Sequence, residues 1–235
     1  MKKLLAFMII ICGIFIFTGC SSDIQFKKNL TLYQMELEYN TEQKTLNGKQ
    51  TVDYINTEDV TLKNIKFHLY ANAFREDSKA NVVSLSNAIK AYPNGKSYGD
   101  IKINCVKLNN KDAVYEICGE DKNILDVLLQ DELYPNDRVN IYIEYTVKLV
   151  NINHRLGYGQ NATNLCNFYP IVCVYEDGGF VCDLYNSNGD PFYSEVADYL
   201  VEINYPKTYD LASTGYQTIT SEDEQTKTTK IEAKC

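Results

Sequence analysis

The 235-residue chain carries 31 acidic against 23 basic side chains, a formal net charge of −8. That balance argues against nucleic-acid binding, which rests on neutralising phosphates with Lys and Arg. The length suits one large domain or two small ones. With 19 Tyr, 9 Phe and no Trp beside many Val, Ile and Thr, the composition leans towards strands.

The first residues read as a leader rather than as fold. Lys2 and Lys3 precede the uncharged apolar stretch 4–17, and Ser21-Ser22-Asp23 follows Thr18-Gly19-Cys20. A charged start, a short apolar run and small residues before a cleavage point make a secretory signal. The run is shorter than the ~20 residues that span a bilayer as a helix. The ending Phe17-Thr18-Gly19-Cys20 resembles the lipobox of bacterial lipoproteins. That resemblance implies cleavage before Cys20, a lipid on Cys20 and an extracytoplasmic, membrane-anchored protein. Residues 1–19 are then signal peptide, 20–29 tether, and 30–235 the folded domain.

In chain order, residues 31–39 alternate with period two, placing Tyr33, Met35, Leu37 and Tyr39 on one face of a half-buried strand. Asn40 to Gln43 connects it to a second strand through Val52 and Tyr54. Residues 60–69 give a third, with Leu62, Ile65, Phe67 and Leu69 inward. Residues 79–90 suit a short helix or a loop, and the Tyr92-Pro93-Asn94-Gly95 cluster is a turn. Residues 101–108 form a strand, Asn109-Asn110 a turn, and 113–117 its return. The apolar run 124–129 ends at Tyr134-Pro135-Asn136-Asp137. Residues 139–150 are the cleanest strand, with Val139, Ile141, Ile143, Tyr145 and Val147 on one face. Another strand covers 199–205, and 218–234 suits an exposed hairpin or a frayed end. Short strands between turn clusters predict a mostly β protein, an antiparallel curved sheet or sandwich.

The exported context permits disulfides. Beyond Cys12 and Cys20 lie Cys105, Cys118, Cys166, Cys173, Cys182 and Cys235. A two-residue Asp177-Gly178 turn pairs Glu176 with Gly179. Counting outward pairs Cys173 with Cys182 at a non-hydrogen-bonded position, where Cα atoms lie ~4.5 Å apart. That register allows a bridge or two adjacent reduced thiols. No Cys-x-x-Cys spacing points to structural zinc. Asp177, Asp183, Asp190 and Glu195 do not match a calcium loop and read as a solvated acidic rim. Ser194 and His154 lack the glycine elbow of a hydrolase nucleophile. Asn161-Ala162-Thr163 is a sequon without meaning behind a bacterial signal.

Several blocks resemble, in order, the N-terminal β domain of zinc aminopeptidases of the aminopeptidase N family. They are Leu46-Asn47-Gly48 with Val52-Asp53-Tyr54-Ile55-Asn56, the run Phe67-His68-Leu69-Tyr70-Ala71-Asn72-Ala73-Phe74, residues 139–145, and His154-Arg155-Leu156-Gly157-Tyr158-Gly159. The run 167–215 closes the match, which spans about residues 30 to 235. The resemblance implies a saddle-shaped, mostly antiparallel domain and a peptidase catalytic domain as its partner. The family's zinc site uses His-Glu-x-x-His on one helix, two imidazoles a turn apart around one ion. This chain has only His68 and His154, neither followed by Glu. No catalytic residue, metal ligand or cofactor is therefore expected in it; zinc belongs to the catalytic domain.

Overall fold

The computed structural model describes residues 29–187 and 191–235. Its strands are β1 (Thr31–Asn40), β2 (Thr45–Ile55), β3 (Leu62–His68), β4 (Asp100–Leu108), β5 (Lys111–Asp112), β6 (Val114–Cys118), β7 (Ile124–Leu133) and β8 (Arg138–Lys148). There follow β9 (Leu156–Tyr158), β10 (Thr163–Leu165), β11 (Ile171–Val172), β12 (Tyr175–Glu176), β13 (Gly179–Phe180), β14 (Ala197–Pro206), β15 (Tyr216–Glu222) and β16 (Thr226–Ala233). Among the described residues, helical structure is limited to the 3-10 turns Tyr70–Phe74 and Leu85–Asn87 and the single turn α1 (Ala88–Ala91). The mostly β expectation holds, and no sheet closes into a barrel.

The large sheet runs β15-β16-β14-β1-β2-β8-β4-β5, and a smaller one runs β11-β3-β7-β6. β1 alternates as its sequence dictates, burying Tyr33, Met35, Leu37 and Tyr39 and exposing Gln34, Glu36 and Glu38. β8 buries Val139, Ile141, Ile143, Tyr145 and Val147 in the same way. These residues join Phe67, Leu125 and Val127 of the smaller sheet in one core. Each such aliphatic side chain contributes roughly 1.5–3 kcal/mol by leaving water.

Turn chemistry sets the registers. Asn40 Oδ1 accepts from the backbone N–H groups of Glu42 and Gln43, which closes the β1–β2 turn. Asn109 and Asn110 both take positive φ, the mirror-image turn of a two-residue hairpin. Gly48 faces Tyr145 across the β2–β8 ladder. A Cβ there would stand 2.3 Å from the ring, so the buried Tyr145 side chain requires glycine opposite it.

One expectation, the return of residues 113–117 along β4, is corrected. The large sheet is mostly antiparallel as expected, with a parallel β1–β14 pair. A parallel pair needs a long crossover, and here the whole second sheet fills that connection. Only Lys111 and Asp112 return along β4. Residues from Val114 onward cross to the smaller sheet and pair with β7 instead. The C-terminal stretch is a hairpin, and its second strand, β16, is built into the large sheet against β14.

Candidate binding groove and thiol face

The inward faces of β1, β14 and β16 are only partly covered, leaving a groove of about 1230 Å³. Met35, Leu37, Val201, Ile203 and Ile231 form its floor, and the crossing segment 152–169 forms one wall. Tyr33 stacks on Tyr199 with ring centroids 5.0 Å apart, and Tyr169 meets both edge-on. Tyr33 Oη accepts from the Val172 N–H at 3.1 Å, tying β1 to β11. Burial pushes the Tyr33, Tyr169 and Tyr199 phenols up, so all three stay protonated. Their roles are packing and hydrogen bonding, not acid–base chemistry.

His154 and Ser194 both line this groove. His154 packs edge-on against Phe74, and burial holds its imidazole below the ordinary value. Among the described residues no carboxylate lines the groove to orient or relay a proton. The arrangement offers an apolar sheet surface with a polar, mostly uncharged rim.

A second feature lies on the face of the smaller sheet turned away from the core. Asp177 and Gly178 take positive φ, and Tyr175 pairs with Phe180 and Glu176 with Gly179, the register read from the sequence. Val181 N–H donates to Val174 O at 2.8 Å, which carries that register one step further. Cys173 and Cys182 thus meet as adjacent free thiols. Burial pushes the Cys173 thiol up, and a hydrogen bond from Cys173 together with Lys66 brings Cys182 down to about 7. Glu116, Cys118 and Asp126 present ligand atoms within 4.8 Å of one another on the same sheet. Sequence reasoning missed this trio, because its members come from two strands and share no local spacing. Asp183 lies near His68, whereas Cys20 and Asp190 fall outside the described residues.

His68 is buried and stacked on Tyr70 with centroids 4.6 Å apart, while His154 packs against Phe74 and Tyr185. They do not form a two-imidazole site.

No protein-family model and no curated protein matches the chain. Solved structures do. An M1 zinc metallopeptidase variant from Deinococcus radiodurans is 14% identical with a TM-score of 0.51. A two-domain M1 zinc metallopeptidase variant bound to L-tryptophan is also 14% identical, with a TM-score of 0.52. In both, the match covers 86% of this chain and 38% of that chain. The chain therefore spans well under half the length of the structures it matches, and what it shares with these M1 zinc metallopeptidases is the fold of that portion.

Proposed function

We propose that this chain is the non-catalytic N-terminal β domain of a lipid-anchored, extracytoplasmic protein resembling zinc aminopeptidases. The observation that carries the reading is the match to M1 zinc metallopeptidases over 86% of this chain. The sequence blocks between Leu46 and Gly215 point the same way independently. The apolar groove floor suits a scaffold that packs against a peptidase catalytic domain, and zinc would belong to that domain.

The first test is enzymatic. The purified chain is expected to release no dye from an aminoacyl substrate, with or without added zinc. Release that a chelator abolishes would overturn the non-catalytic assignment.

The anchor is tested separately by labelling cells with a fatty-acid probe. The wild-type chain should incorporate it and Cys20→Ala should not. A lipid chain contributes ~0.8 kcal/mol per buried CH₂, so Cys20→Ala should also move the protein from membrane to soluble fractions. Equal labelling of both chains would remove the anchor.

A further inference from the structure

The face formed by β3, β6, β7 and β11 collects groups that no segment of the sequence holds together. Glu116 pairs with Asp126 across β6–β7, and Asp126 pairs with Lys66 across β7–β3. Cys173 N–H donates to Lys66 O at 2.8 Å, so Cys173 extends the same cross-strand row. Paired residues of an antiparallel ladder share a face, and so do residues two apart on one strand. Cys118 therefore lies on the face of Glu116.

The donors suit a thiophilic cation. Glu116, Cys118 and Asp126 have ligand atoms within 4.8 Å of one another, against roughly 3.3–3.8 Å between ligands of a tetrahedral ion with bonds of about 2.0–2.3 Å. Asn64 Nδ2 donates to Asp126 Oδ1 at 2.6 Å and orients that carboxylate, as the outer partners of metal ligands do. The Lys66 ammonium, 3.1 Å from Asp126 Oδ2, is the cation already in place. Two carboxylates and one thiol thus gather beside one lysine.

We propose that Glu116, Cys118 and Asp126 form a binding site for one divalent metal ion of the zinc class, with Lys66 as the competing cation. Thiolate and carboxylate together select a borderline-soft ion over magnesium or calcium, which take oxygen alone. The proposal does not depend on the proposed parent family.

Cobalt(II) is the probe. Titrated into the full chain, reduced and held in detergent, it should give thiolate-to-cobalt charge-transfer absorption at one equivalent and be displaced by zinc. Cys118→Ser and Glu116→Gln, both at accessible positions, should each weaken binding about 10-fold or more. Cys105→Ser, on β4 of the other sheet, should leave it unchanged. Lys66→Met should tighten binding, a gain that unfolding cannot produce. Absence of the thiolate band, equal affinity in Cys118→Ser, or a Lys66→Met chain that binds no tighter each overturns the site.

Discussion

Asn56→Ala is expected to destabilise the fold by about 3 kcal/mol, because it leaves buried backbone groups without partners. Asn56 is fully buried at the end of β2. Its Nδ2 donates to Val60 O at 2.8 Å and to Leu133 O at 3.0 Å, and its Oδ1 accepts from the Glu58 N–H at 3.1 Å. Its backbone exchanges two further bonds with the β7–β8 connection, through Asp137 O and the Asn136 N–H. One side chain therefore fastens the large sheet to the end of β7 in the smaller sheet. Alanine abandons three polar groups at a cost of about 1–3 kcal/mol for each one that water cannot reach. Chemical denaturation measures it. A midpoint within error of wild type would show that water replaces the amide.

His68 makes stability fall with acid. It is 2% exposed and stacked on Tyr70, and neither ring nitrogen has a hydrogen-bond partner among the described residues. Burial pushes its imidazole down to about 4, and nearby Asp183 only partly opposes this. The folded state therefore disfavours the protonated ring. An unfolded histidine titrates near ~6.5, so the stabilising difference is complete above that pH and is lost as pH falls towards 4. Over that window the loss is about 3 kcal/mol, at ~1.36 kcal/mol per pKa unit. The half-buried His154 acts in the same direction more weakly. Denaturant midpoints at pH 7, 5.5 and 4.5 should fall steeply in the wild type. His68→Phe should flatten most of that fall and cost little at pH 7, because it removes two unpaired nitrogens and keeps the ring contact with Tyr70. The same acid sensitivity in His68→Phe would assign the effect to other groups.

Much of the fold was legible because a strand with one buried face must alternate. Tyr33, Met35, Leu37 and Tyr39, and likewise Val139 to Val147, read correctly without any knowledge of what they pack against. The Asp177-Gly178 turn was equally legible, since its backbone needs positive φ at both positions. The C-terminal hairpin was harder, because its first strand is largely exposed and its pattern carries little apolar signal.

By itself, then, the sequence determined strand positions, buried faces and the 173–182 register, all of which follow from local periodicity and turn chemistry. It also determined that no His-Glu-x-x-His pair is present in this chain. Tertiary structure alone decided which strands became neighbours: the parallel β1–β14 pair and the passage of β6 into the second sheet. The same long-range pairing set Glu116 and Cys118 beside Asp126. The physical reason is the same throughout. Periodicity records which face of a strand is buried, but not which distant strand will share that face, and metal-binding donors act through distances in space rather than along the chain.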